Sequence, residues 1–139
     1  MKKIAIVALL SLMMGANCKK NPIITPQQQD LLVQIMTDGL WSVTLLNNNG
    51  TDMTQDFAGY RFKFYENKTV DATFNGSFVK QGVWDGSAAT MTTSTNFTNA
   101  SHPLIQLNGS WHVDHSGSRF VEATQTVGSV TKNLKLYKE

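Results

Sequence analysis

Two histidines and a carboxylate that could bind a metal lie within four residues of one another. They are His112, Asp114 and His115, and His102 is the only other histidine of the chain. Imidazole and carboxylate are ligands that zinc and copper accept. On a β-strand, however, successive side chains point to opposite faces, so His112 and Asp114 share a face and His115 points away from them. Because zinc sites usually take three or four ligands, we expect no metal here; a weak metal carrier using these three residues is the alternative.

The sequence offers little for covalent catalysis. It has one cysteine, Cys18, and no Gly-x-Ser-x-Gly motif that would present a nucleophilic serine. Asp52, Asp56 and Glu66 lie in or beside segments of turn composition, where carboxylates usually cap backbone groups or stay solvated. No phosphate-binding glycine loop occurs. We therefore expect a protein that is not an enzyme and carries no cofactor, with an enzyme built on an atypical loop site as the rival hypothesis.

The single cysteine follows a segment with the features of an export signal. Lys2 and Lys3 precede an apolar run over residues 4–16. The run is too short to span a bilayer, which takes about 20 residues, and it has the length of a signal-peptide core. Gly15-Ala16-Asn17-Cys18 resembles the lipobox of bacterial lipoproteins, with Asn17 and Gly15 departing from the usual residues. The resemblance implies that Cys18 is lipidated and that the protein is anchored in a bacterial membrane.

This interpretation divides the chain into three parts. Residues 1–17 are the predicted signal peptide, residues 18–25 a tether, and residues 26–139 one folded domain, which is what 139 residues allow. Without Lys2 and Lys3, ten basic residues balance ten acidic ones. The basic residues are scattered, so we expect no nucleic-acid partner. The expected location is the cell envelope, as an outer-membrane-anchored lipoprotein.

The spacing of apolar residues predicts one short helix and then only strands. Thr25, Pro26 and Gln28 have the types of a capped helix start, and Gly39 is suited to end the helix. Between them, Leu31, Leu32, Ile35 and Met36 give the helix one apolar face. Alternation with period two then predicts eight strands, over 41–45, 60–64, 70–74, 78–84, 88–93, 111–114, 120–125 and 134–136. Since closure removes exposed strand edges, we expect an all-β, eight-stranded antiparallel up-and-down barrel.

Three Gly-x-Trp triplets occur at or within these strands, and a family resemblance is based on them. They are Gly39-Leu40-Trp41, Gly82-Val83-Trp84 and Gly109-Ser110-Trp111. The first follows a short helix, as the Gly-x-Trp signature does in lipocalins. With the block from Asp56-Phe57-Ala58-Gly59-Tyr60 to Phe62-Lys63-Phe64, residues 39–139 resemble bacterial lipocalin-like lipoproteins. The resemblance implies a lipocalin-like barrel, and a cation above Trp41 for which Arg119 is a candidate.

The function expected from this scaffold is binding without catalysis. The ligand is a small apolar molecule, or the partner is another protein of the envelope. The aromatic residues that are candidates to line a cavity are Trp41, Tyr60, Phe62, Phe64, Phe74 and Phe120. An eight-stranded barrel is just wide enough to be filled by side chains or to hold one small ligand, and bulky aromatics favour filling. We also expect Trp41 to be buried against the helix that contains Leu31 and Ile35.

Overall fold

The structure, a computed structural model, describes residues 26–139. The predicted signal peptide, the lipidation site Cys18, the tether and the capping role of Thr25 all lie outside these residues. Within them the chain forms one helix, two short 3₁₀ helices and nine strands.

The helix α1 runs from Pro26 to Thr37 and lies where the sequence predicts it. Proline suits its first position, because the missing N–H would have no partner there. Gly39 follows with a φ of 76°, a left-handed conformation that glycine adopts without strain. No helix among residues 26–139 is long and apolar enough to span a membrane.

The strands form a closed antiparallel barrel, which confirms the predicted fold class. Their bounds are β1 Trp41–Asn48, β2 Thr51–Asp52, β3 Tyr60–Phe64, β4 Thr69–Phe74, β5 Ser77–Ser87, β6 Thr92–Asn96, β7 Gly109–Ser116, β8 Phe120–Val127 and β9 Val130–Lys138. Consecutive strands pair from β3 to β9, and β1 closes the barrel against β9. The eight long strands make the wall, while the two-residue β2 pairs only with the end of β1.

One strand lies later in the chain than its pattern predicts. A strand was expected over residues 88–93, but β5 continues to Ser87 and a turn follows it. Met91 ends this turn with a φ of 51°, and β6 then begins at Thr92. All five residues of β6 are Thr, Ser or Asn. The alternation of apolar and polar residues therefore does not mark the bounds of this strand.

The two ends of the barrel are closed in different ways. At one end, the 3₁₀ helices Thr54–Phe57 and Leu104–Leu107 supply buried apolar side chains, including Phe57 and Leu104. At the other end, α1 lies against β3 and β5 and places Met36 in the core. We call these the packed end and the helix end.

The three tryptophans of the Gly-x-Trp triplets are all buried, and each ring is fixed by the same kind of hydrogen bond. Each indole Nε1 donates to a backbone carbonyl at 2.9 Å: Trp41 to Met36, Trp84 to Tyr65, and Trp111 to Leu107. Trp41 is fully buried and its partner belongs to α1, so the predicted contact between this tryptophan and the helix is confirmed.

Candidate functional site

A cavity of about 230 Å³ lies inside the barrel, beneath α1. We call it the interior cavity. The helix contributes Leu31, Leu32, Ile35 and Met36 to it, and Phe62 and Phe64 line it from β3. Its remaining wall comes mainly from strands β6 to β9, where Val113, Val121, Leu134 and Leu136 line it. Nearly all the lining atoms are carbon, so the cavity suits an apolar occupant.

The size of the side chains explains why the barrel is filled at one end and hollow at the other. Near the packed end, Phe62 lies 6.4 Å from Phe57 and 6.3 Å from Phe97 between ring centroids. Across the cavity, the facing strands carry smaller side chains such as Thr95 and Val121. The expectation that aromatic residues fill the interior is therefore correct for the packed end and wrong for the helix end.

Of the six aromatic residues predicted to line a cavity, Phe62 and Phe64 do so. The other four are not among the residues that line it. Trp41 is buried in the wall against the helix, and Tyr60 stacks on Phe62 toward the packed end. Phe74 and Phe120 are 43% and 41% exposed. Phe74 is the last residue of β4, and Phe120 lies on the outer face of β8, whose inward-facing residues begin with Val121.

The helix is held at its two ends by different contacts. At the carboxyl end, the Trp41 indole bonds to Met36, and the Lys63 ammonium donates to the Thr37 carbonyl at 2.6 Å. Near the amino end, the Gln29 side chain donates to the Gly86 carbonyl at 2.7 Å and accepts the Ala88 amide at 2.9 Å. Gln29 therefore fastens α1 to the turn between β5 and β6, and no sequence motif indicated this role.

The cation above Trp41 is Lys138, and the candidate Arg119 was wrong. The Lys138 ammonium lies 5.2 Å from the centre of the Trp41 ring and 3.4 Å from an Asp38 carboxylate oxygen. Arg119 instead lies over Tyr137, at 5.3 Å. The difference follows from register, because Trp41 pairs directly with Lys138 across β1 and β9.

The histidine cluster lies on the outside of the barrel, and the predicted separation of its members was wrong. The register of β7 and β8 shifts between Val113 and His115, so Asp114 is an additional residue in the strand. This β-bulge returns His115 to the outer face, where its Nδ1 lies 3.4 Å from Glu122. His112 lies 4.0 Å from Asp114. Among residues 26–139, no group of three or more His, Cys, Asp or Glu side chains is placed to hold a metal ion.

Carboxyl groups with a lowered pKa, and one carboxylate–histidine pair, lie away from the interior cavity. The Lys68 ammonium, 3.1 Å from Asp85, and a backbone amide lower the pKa of the Asp85 carboxyl. Hydrogen bonds from the Thr54 hydroxyl and amide lower the pKa of Asp52 in the same direction. On the packed end, His102 Nε2 lies 2.8 Å from the Asp56 carboxylate. The Lys68–Asp85 and His102–Asp56 pairs are exposed and join separate segments, and the Thr54–Asp52 hydrogen bonds hold a single turn, so each has a structural role.

The fold is similar to that of a DUF4847 family protein from Bacteroides vulgatus ATCC 8482. The two share 11% sequence identity with a TM-score of 0.56, over 78% of this chain and 97% of that one. At this identity the similarity establishes the eight-stranded barrel and nothing about a ligand. No protein-family model matches the chain. No curated protein matches it either.

Proposed function

We propose that this protein is a non-enzymatic, lipid-anchored carrier that holds a small apolar ligand in the interior cavity. The observation that carries the proposal is the hollow, carbon-lined space beneath α1. It favours a small ligand over an envelope protein as the bound partner. Among residues 26–139, no buried side-chain polar atom lacks a hydrogen-bond partner. The interior therefore needs no polar ligand group to complete it.

The size of the cavity is sufficient for a ligand. An engineered apolar cavity of roughly 150 Å³ in another protein binds benzene. The interior cavity, at about 230 Å³, is larger. Apolar burial stabilises a complex by roughly 25 cal/mol for each Å² removed from water, so a snug hydrocarbon ligand gains affinity without polar contacts.

A lipid at Cys18 would keep the cavity close to the membrane. Seven residues, and so eight residue-to-residue steps, separate Cys18 from Pro26, the first residue of α1. However those residues are arranged, they span at most roughly 29 Å. The helix end of the barrel would then stay within that distance of the bilayer surface, where apolar molecules are concentrated.

Calorimetric titration of 1-octanol into the full-length chain carrying Cys18→Ser tests the cavity. Val121 lines the cavity, so Val121→Phe should fill it and abolish binding. Val83→Phe is the matched control, because Val83 is 55% exposed on a neighbouring part of the same sheet. Binding that survives Val121→Phe, or no binding to the parent chain, would contradict the proposal.

Mass spectrometry of the wild-type protein extracted from membranes tests the anchor. We expect an acylated amino-terminal Cys18. Asn21→Ser should leave the acylation intact, and Cys18→Ser should remove it. A product cleaved elsewhere, with a free thiol at Cys18, would contradict the lipid anchor while leaving the cavity untouched.

A further inference from the structure

A surface groove lies directly beside the interior cavity, and the same two helix residues border both. Leu31 and Ile35 line the groove as well as the cavity. The turn between β7 and β8 is the second shared border, since Ser116 and Gly117 line the cavity and Ser118 and Arg119 line the groove. Leu31 is 54% exposed, so apolar surface continues from the cavity into the groove.

The charges in the groove leave one cation without a carboxylate. Asp38 pairs with Lys138, and the Glu139 carboxylate pairs with Arg61 at 2.6 Å. Among residues 26–139, no carboxylate oxygen lies within 4.0 Å of the Arg119 guanidinium.

The position of the Arg119 side chain is nevertheless defined. Its Nη2 donates to the Lys138 carbonyl at 3.3 Å, and its guanidinium carbon lies over the Tyr137 ring, 5.3 Å from the ring centre. A guanidinium held in this way keeps further N–H donors, and their fixed fork suits a carboxylate or phosphate.

We propose that the ligand is a single-chain amphiphile with an anionic head: its alkyl chain occupies the interior cavity and its head is bound by Arg119 in the groove. This inference rests on the proposed function and adds the chemical class of the ligand. Since the cavity is about one and a half times the size of one that holds benzene, it has room for roughly nine carbon atoms. The chain is therefore of medium length, and the charged head stays at the surface, where its solvation cost is small.

Three eight-carbon probes that differ only in the charge of the head test this inference. They are octanoate, 1-octanol and octylammonium, titrated calorimetrically into the full-length chain carrying Cys18→Ser. Arg119→Gln should weaken octanoate binding about tenfold. This change in affinity corresponds to the free energy of one charge-assisted hydrogen bond at a partly exposed site. The substitution should leave 1-octanol unchanged and should not weaken octylammonium.

A second cation provides the control. Lys135→Gln removes the same unit charge from the neighbouring strand β9, where Lys135 pairs with Glu122 at 2.9 Å rather than lining the groove. Octanoate affinity should stay within about twofold of the parent, because screening makes distant surface charges weak.

The outcomes separate this inference from the proposed function. If 1-octanol binds but Arg119→Gln leaves the octanoate affinity unchanged, the inference that Arg119 binds an anionic head is wrong. The proposal of an apolar ligand in the interior cavity is then unaffected. If Lys135→Gln weakens octanoate as much as Arg119→Gln does, the effect is net charge and the head site is also wrong. If none of the three probes binds, both proposals fail.

Discussion

The contact between Trp41 and α1 gives the most direct prediction about how the cavity is covered. Trp41 is fully buried, its indole donates to Met36, and Lys138 lies above its ring. Replacing a buried tryptophan by alanine costs about 3–5 kcal/mol. Small domains are stable by about 5–15 kcal/mol, so Trp41→Ala should remove a large fraction of the stability.

A milder substitution separates the role of Trp41 in holding the helix from its role in filling the core. Trp41→Phe keeps a buried ring but loses the hydrogen bond to Met36, which contributes about 1 kcal/mol. Trp84→Phe is the matched control: that indole also donates at 2.9 Å, and a lysine lies above its ring too, but its acceptor is Tyr65 rather than the helix.

The two phenylalanine variants should unfold in urea with similar losses of stability and should differ in local motion. Hydrogen exchange of the α1 amides should become about fivefold faster in Trp41→Phe, the factor that corresponds to 1 kcal/mol, and should not change in Trp84→Phe. Equal exchange in both variants, or near-wild-type stability of Trp41→Ala, would refute the assignment of Trp41 as the residue that holds the helix.

Three further predictions concern other parts of the barrel. Gly82→Ala should destabilise the protein by about 1–3 kcal/mol in urea melts, because a Cβ there would lie 2.7 Å from both the Asn96 carbonyl oxygen and the Phe97 ring; an unchanged melt would contradict this close packing. Asp85→Asn should be destabilising at neutral pH. The pKa of this carboxyl is lowered in the folded state by Lys68, so the contribution of the ion pair is complete above 3.8 and is lost as the pH falls below it. Urea melts of both proteins should therefore converge below that pH, and a constant difference would contradict the ion-pair account. Gln29→Ala should speed hydrogen exchange in the first turns of α1 and the dissociation of 1-octanol, measured by stopped flow; unchanged rates would show that the amino end of the helix does not control access to the cavity.

Local patterns predict most of the barrel because they act over a few residues. Asn75-Gly76 forms the predicted hairpin turn, and both residues have the positive φ that this turn requires. The alternation of Tyr60, Phe62 and Phe64 gives β3 correctly. By contrast, β6 is all polar and offers no alternation, so only its pairing with β5 and β7 defines it.

The candidate site depends on features that local patterns do not contain. A β-bulge at Asp114 reverses the expected face of His115, and a bulge depends on pairing with the neighbouring strand. Register places Lys138 rather than Arg119 beside Trp41. The cavity is the part of the barrel interior that the inward-facing side chains do not fill. Its presence therefore depends on how these side chains pack in three dimensions.

A crystal structure of the full-length chain carrying Cys18→Ser, soaked with octanol brominated at the end of its alkyl chain, tests the central claim most directly. The account predicts an anomalous bromine peak inside the barrel, among Phe64, Val121 and Leu134, with the hydroxyl directed toward α1. A peak only on the outer surface, or an interior filled by side chains with no space for the probe, would contradict the account.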